Sequence, residues 1–318
     1  MMYDPYSKNL RCKVFDIETT GLYYSHDRII SASFIDPDGT GLVQYFTEDP
    51  AAEDFTVSMI LKELSDCDAV ITYNGAGFDL PFVLSRAKKY GLAEKLPAMR
   101  SVDIYKLLKH YWQLAPSMES LRQKAVEDAL GLAECRTDLI GGGDCISLYS
   151  EYLNLGRSEA KDLILLHNAD DVRQLARITQ KLSFLPYHRI AFEQGMLMKA
   201  YTQSLLGQTE YRILTGPASL KGGKLSLSAR IDPPCMPTAF YEDGFTLQAG
   251  ADGKVQLDVY TGKAEDLEFA DLRKLPVDAQ SFAKLPGFSE SFLVLSTENG
   301  INYAECMAVI SALLEKLA

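Results

Sequence analysis

Long apolar runs are missing from this chain. No stretch is long enough to cross a bilayer, and Met1-Met2-Tyr3-Asp4-Pro5-Tyr6-Ser7-Lys8 has nothing of the apolar segment of a signal peptide. Ordered cysteine spacing is missing too. Cys12, Cys67, Cys135, Cys145, Cys235 and Cys306 lie far apart, which predicts reduced thiols in a cytoplasmic protein and no cysteine metal cage. Basic charge is scarce: 32 Lys and Arg stand against 43 Asp and Glu, a formal net charge of −11. Proteins that grip duplex nucleic acid by its phosphates carry basic surfaces, so tight, sequence-independent duplex binding is disfavoured. A narrow site admitting one strand end is not, because local field matters there more than net charge. Internal repeats and low-complexity segments are absent from the sequence.

What is present is an ordinary globular composition, 47% apolar and 24% charged over 318 residues, enough for two domains. Residues 13–19, 29–36 and 42–47 read as strands in meander order, followed by a helix over 57–67 and a buried strand over 69–73. Helices are predicted from Asp79 to about Tyr90, then over 104–112, 117–130, 145–154 and 158–182. This pattern predicts an α/β fold, a mixed sheet flanked by helices. Beyond a helical stretch over 190–206 the texture changes. Gly222-Gly223, Asp243-Gly244 and Asp252-Gly253 separate alternating runs, which are hairpin signals, and a final helix carries Met307, Ile310, Leu314 and Leu317 on one stripe. A smaller β-rich domain over 201–318 is therefore expected to follow a first domain over 1–200. Its aromatics Phe240, Tyr241, Phe245 and Tyr260 either stack on bases or, as is commoner in hairpins, fill a core.

Three acidic segments carry the chemistry: Val14-Phe15-Asp16-Ile17-Glu18-Thr19-Thr20-Gly21, Tyr73-Asn74-Gly75-Ala76-Gly77-Phe78-Asp79 and His167-Asn168-Ala169-Asp170-Asp171-Val172. Alternation along a strand puts Asp16 and Glu18 on one face and Phe15 and Ile17 on the other. Two like charges about 4 Å apart cost on the order of 4 kcal/mol at an effective dielectric near 20, and a divalent cation reverses that sign. Asp171 shares a helical stripe with Ile164, Asn168, Leu175 and Ile178, so it must face the sheet, where a lone carboxylate is costly. Asp170, about 100° round the helix, is expected in solvent. His167, one turn before Asp171, leans over the site or merely lines the core edge. Asp79 precedes Leu80-Pro81 where an N-cap is expected, and Asp103 reads as a cap or a supporting residue.

These segments together resemble the DEDD 3′–5′ exonuclease superfamily, of ribonuclease-H-like fold, and within it the stand-alone bacterial YprB-type branch; the resemblance covers roughly residues 10–185. It implies two divalent ions, Mg²⁺ or Mn²⁺, held by Asp16, Glu18 and Asp171, with Asp79 acting through water and His167 orienting or deprotonating the attacking water. It also implies that Thr19, Thr20 and Asn74 contact the terminal nucleotide, with Leu22 and Phe78 beside its base or sugar. One departure stands out: His167 occupies the spacing at which relatives carry tyrosine (Tyr-x-x-x-Asp), not the His-x-x-x-x-Asp spacing. The implied activity is hydrolysis at 3′ ends of single-stranded DNA or RNA. Rival readings are a structure-selective endonuclease, a small-nucleotide phosphodiesterase and a catalytically silent nucleic-acid-binding module.

Overall fold

The computed structural model describes residues 4–92, 99–204 and 207–317. The chain divides into two compact units, Met1–Leu185 and Pro186–Ala318.

The first unit is built on one five-stranded sheet: β1 (Cys12–Thr19), β2 (Ile29–Ile35), β3 (Val43–Phe46), β4 (Ala69–Thr72) and β5 (Arg100–Asp103), ordered β3-β2-β1-β4-β5. The β1–β2 and β2–β3 pairs are antiparallel; β1–β4 and β4–β5 are parallel. The helices are α1 (Glu53–Ser65), α2 (Asp79–Lys89), α3 (Ile104–Tyr111), α4 (Gln123–Ala129), α5 (Gly142–Leu155) and α6 (Ser158–Thr179). The expected mixed sheet flanked by helices is what forms. Strand β5, missed in the sequence, is only four residues long and adds the parallel edge. The helix expected over 117–130 is confined to 123–129, because a 3₁₀ turn at Ala115–Ser117 and extended backbone at Met118 and Arg122 precede it.

The two faces of this sheet differ in kind. Phe15, Ile17, Ala32 and Phe34 enter an apolar core with Val57, Ile60, Leu64, Phe82 and Val83, and Phe15 stacks on Phe34 at 4.6 Å between ring centroids. Glu53 and Arg86 are buried with it: Glu53 Oε1 accepts from Ile29 N at 3.0 Å and Arg86 Nε at 2.8 Å, and Glu53 Oε2 accepts from Arg86 Nη2 and, at 2.7 Å, from the Tyr90 hydroxyl. On the opposite face α6 packs across β1 and β2, beside α5, around Ile30, Cys145, Tyr149 and Ile164. The β1–β2 register slips between Glu18 and Thr19, so that β2 carries one extra residue, Ile30, opposite them. Such a bulge increases local twist and re-aims the strand end.

The second unit comprises α7 (Tyr187–Gln194), a sheet ordered β6-β7-β8-β11-β10-β9, a sheet ordered β12-β13-β15-β14 with β16 paired to β15, and α8 (Tyr303–Leu314). The strands of the first sheet are β6 (Leu197–Ser204), β7 (Gly207–Lys221), β8 (Lys224–Asp232), β9 (Thr238–Tyr241), β10 (Phe245–Ala249) and β11 (Lys254–Tyr260). Those of the second are β12 (Gly262–Ala264), β13 (Leu267–Asp271), β14 (Phe288–Ser289), β15 (Phe292–Thr297) and β16 (Gly300–Ile301). Each predicted Gly-containing turn joins two strands of a hairpin. The stripe Met307, Ile310, Leu314 and Leu317 is buried, and of the aromatics Phe245 is core while Tyr241 and Tyr260 are exposed. The helix expected over 190–206 is overturned for its described part: it stops at Gln194, and 197–204 is strand (205–206 lie outside the described residues). Gly195 takes φ +84°, and a Cβ there would lie 2.0 Å from the Thr215 carbonyl oxygen. That close approach seats the chain on β7 and defeats the helical propensity of Leu197, Met198, Lys199 and Ala200.

Candidate active site

Pleat and helix together bring three carboxylates into one place. Asp16 and Glu18 project from the α6 face of β1, and Asp171 meets them from α6; one oxygen of each lies within 4.8 Å of the others. Glu18 is buried, and Asp16 and Asp171 are half-buried. Burial, then the charges of Asp79, Asp171 and Glu18, push the Asp16 carboxyl well above its ordinary range. Burial and then Asp171 raise Glu18 to about 8. Asp171 is raised as well, by burial that outweighs His167 and Arg136.

Asp16 is aimed by Asn168, whose side-chain amide donates to Asp16 Oδ2 at 2.7 Å. The orientation of that amide follows from its other partners. Gln44 donates to Ser33 Oγ (2.9 Å), which leaves the Ser33 proton for Asn168 Oδ1 at 2.7 Å, and Ser31 Oγ donates to the same oxygen at 3.0 Å. Asn168 is fully buried on the stripe that carries Asp171.

Asp79 is not the helix cap its sequence position suggests. It is the first residue of α2, and its Oδ1 reaches across to accept from Ile17 N at 3.1 Å. Burial lifts it to about 7, although that hydrogen bond pulls the other way. It stands outside the group of three whose oxygens converge, adding its charge to Asp16 from the β4 side. Asp103 does cap α3, accepting from Lys106 N at 3.3 Å. It also holds the loop before Asp79, accepting from Asn74 N at 2.9 Å and Ala76 N at 3.3 Å. That loop turns through Asn74 at φ +63°, and a Cβ on Gly75 would lie 2.4 Å from the Thr72 Cβ.

His167 is buried. Its Nδ1 lies 2.6 Å from Asp138 Oδ2, and its Nε2 lies 3.5 Å from both Glu18 Oε1 and Asp171 Oδ2. Asp170, expected in solvent, is buried instead. Its Oδ2 accepts from Thr137 N (2.6 Å), Thr137 Oγ1 (2.7 Å) and Asp138 N (2.9 Å). The helical angle away from Asp171 was right, but the segment between α4 and α5 covers that side of α6. Burial works against the Asp170 charge, yet those donors outweigh it and hold its pKa below the usual range.

The same segment supplies Arg136, which nothing in the sequence pattern marks. Its Nη1 lies 2.7 Å from Asp171 Oδ1 and 2.9 Å from Asp138 Oδ1, while Nε and Nη2 grip Glu127 at 3.0 and 2.7 Å. Burial would raise Asp138, but His167 and Arg136 together hold it low. Cys145 Sγ also lies within 4.8 Å of Glu18 and His167. Burial pushes its thiol far up, and in the metal-free protein it donates to Glu18.

Of the expected substrate contacts, Thr19 Oγ1 donates to Gly21 O (2.7 Å) and Thr20 Oγ1 accepts from Arg28 N (2.9 Å), which shapes the turn after β1. Leu22 is 75% exposed at that turn. Asn74 is exposed, whereas Phe78 is half-buried and packs on Phe82 and the apolar core.

The donor set fits a hard divalent cation. All its converging atoms are carboxylate oxygens, and their mutual repulsion is only partly relieved, since the Arg136 cation reaches Asp171 but is shared with Asp138 and Glu127.

Known proteins share parts of this chain. A DNA polymerase of Pyrococcus glycovorans is 34% identical over 104 residues, which is 29% of this chain and 13% of that protein. DNA polymerase 1 of Pyrococcus abyssi is 33% identical over 96 residues, 27% of this chain and 12% of its own length. The chain thus spans about an eighth of the curated relatives it matches. A solved family B DNA polymerase from the hyperthermophilic archaeon Pyrobaculum calidifontis aligns with a TM-score of 0.46 at 19% identity, over 54% of this chain and 24% of that one. The family model of the RNase H superfamily (RNase_H_2) matches residues 14–183, more than half of the chain, and with its helix-flanked mixed sheet the protein belongs to that superfamily.

Proposed function

We propose that this protein is a metal-dependent nuclease of the DEDD type, a 3′–5′ exonuclease that hydrolyses phosphodiester bonds at the 3′ ends of single-stranded DNA or RNA. The observation that carries the reading is the convergence of Asp16, Glu18 and Asp171 within 4.8 Å, from a strand and a helix more than 150 residues apart in sequence. The likeness to parts of DNA polymerases supports a nucleic-acid substrate. On this reading the catalytic domain is the first of the two units and the β-rich second unit is accessory. The free cysteines suit a reducing, cytoplasmic setting.

Asp16, Glu18 and Asp171 would hold divalent cations, Mg²⁺ or Mn²⁺, with Asp79 contributing through water. Bound there, a pair of such ions supplies the positive charge that stabilises the phosphoryl transition state and eases ionisation of water. The chain's own residues do the rest. Asn168 and the two serines behind it fix the Asp16 carboxylate before substrate arrives, so no reorganisation is needed during reaction. His167 takes the proton of the attacking water at Nε2. The water oxygen bonds to phosphorus, the P–O3′ bond breaks with its electron pair on O3′, and that oxygen takes a proton from solvent. A nucleoside 5′-monophosphate leaves. Thr19, Thr20, Leu22 and Asn74, with the edge of Phe78, line the approach to the terminal nucleotide.

The test is incubation of 5′-labelled and 3′-labelled single strands of DNA and RNA with the protein and Mn²⁺ or Mg²⁺. A stepwise ladder from the 3′ end, absent in Asp16→Ala, is expected. A single internal cut would point to an endonuclease, and cleavage of dinucleotides alone to a small-nucleotide phosphodiesterase. Inertness towards all of these would leave a silent binding module.

A further inference from the structure

Asp138 is buried beside the carboxylate cluster, yet it is not one of the converging ligands. Three groups fix it from different directions. Its backbone N–H donates to Asp170 at 2.9 Å, Arg136 Nη1 donates to its Oδ1 at 2.9 Å, and its Oδ2 lies 2.6 Å from His167 Nδ1. Lys124 Nζ stands 3.8 Å from Oδ2 and is half-exposed. The pair joins residues 29 apart in sequence, one in the α4–α5 connection and one in α6, so it is not an incidental neighbour contact along a helix.

The two ring nitrogens of His167 are unequal. The Asp138 contact is short, and a carboxylate oxygen flanked by an arginine accepts hydrogen bonds, so Nδ1 must carry the proton. Nε2, at 3.5 Å from Glu18 Oε1 and Asp171 Oδ2, makes no hydrogen bond to either. We infer that Asp138 is the positioning residue of His167: it fixes the Nδ1–H tautomer and turns the unprotonated Nε2 towards the three carboxylates. The consequence for catalysis rests on the nuclease reading above. Arg136 serves the same arrangement by occupying the other oxygen of Asp138, which leaves Oδ2 for the ring. This also accounts for a histidine working at the tyrosine spacing, since its orientation comes from a loop carboxylate and not from its own reach.

Two measurements on the full chain test this. In metal-free protein, with the neutral form of the ring identified from the spectra themselves, long-range ¹H–¹⁵N correlations should place the His167 proton on Nδ1. The ring is assigned by its loss in His167→Gln, and the Nδ1 preference should be lost in Asp138→Ala. A proton on Nε2 in the wild type overturns the inference, whether or not the protein cleaves nucleic acid. With Mn²⁺ and a labelled single-stranded oligonucleotide, Asp138→Asn should lower kcat by about 10²-fold with KM within about threefold. In a His167→Ala background the same substitution should cost less than about threefold, because the route through the ring is gone. An equal loss in both backgrounds overturns it. If Asp138→Asn does not fold, the wild-type tautomer decides. If the wild type cleaves no strand, the nuclease reading falls and the tautomer still decides the positioning.

Discussion

The first unit places titratable groups at both faces of one sheet, and the two sets behave oppositely. Behind the sheet, Glu53 and Arg86 match charge for charge, and Ile29 N and Tyr90 occupy the remaining lone pairs of the carboxylate. In front of it, Asp16, Glu18 and Asp171 converge, while the guanidinium of Arg136 is divided among Asp171, Asp138 and Glu127. The Glu53–Arg86 set is balanced in charge as folded, although Arg86 Nη1 is left without a hydrogen-bond partner among the described residues. The unbalanced set in front is held together by the fold at the cost of raised carboxyl pKa values. The first kind maintains structure; the second, on the nuclease reading proposed above, is where cations and substrate act.

Substitutions should separate the two sets. Asp16→Ala should lower strand cleavage by roughly 10³-fold, while the metal-free protein unfolds at the same temperature or higher. A fall in melting temperature with cleavage intact would merge the two sets. Arg86→Met should do the reverse, costing about 3–5 kcal/mol because Glu53 is left buried and alone. Denaturant melts would register that loss, and Mn²⁺ should not specifically restore it. Asn168→Ala removes the hydrogen bond that aims Asp16, so Mn²⁺ affinity by calorimetry should weaken about 10- to 100-fold.

Around the carboxylate cluster itself, raised and lowered carboxyls should give pH dependences of opposite sign. Glu18 and Asp79 sit at about 8 and about 7, above their values in the unfolded chain. The folded protein therefore binds their protons more tightly, and stability from these groups falls as pH rises from about 4 to about 8. Metal-free protein should lose a few degrees of melting temperature over that window, and Glu18→Gln should flatten the slope. Asp138 and Asp170, held low, contribute stability above the ordinary carboxylate pKa and lose it as pH falls below that range. The smallest effect is expected at Leu22. Leu22→Ala should leave stability unchanged, as the side chain is 75% exposed, and raise KM a few-fold if it flanks the terminal base.

Much of the carboxylate cluster was legible because strands and helices are periodic. Alternation along β1 separates Asp16 and Glu18 from Phe15 and Ile17, and the stripe of α6 turns Asp171 inward with Ile164 and Leu175. The supporting residues were not legible, since Arg136 and Asp138 sit in a connection with no period, and only tertiary packing brings that connection onto α6. Asp170 was misjudged for the same reason: a helical wheel gives an angle but not what covers it. Asp79 looked like a cap because local spacing cannot reveal the Ile17 amide 62 positions away. In the second unit the glycine turns announced their hairpins. The β8–β11 pairing, a non-local choice, left no such sign.

One carboxylate of α6 has a consequence of its own. Asp170 pegs Thr137 and Asp138 to the same helical turn that presents His167 and Asp171. The loop and the helix are therefore joined at a second point besides the Asp138–His167 contact. The imidazole of His167 and the Asp138 carboxylate that meets it are thereby referred to one helical turn.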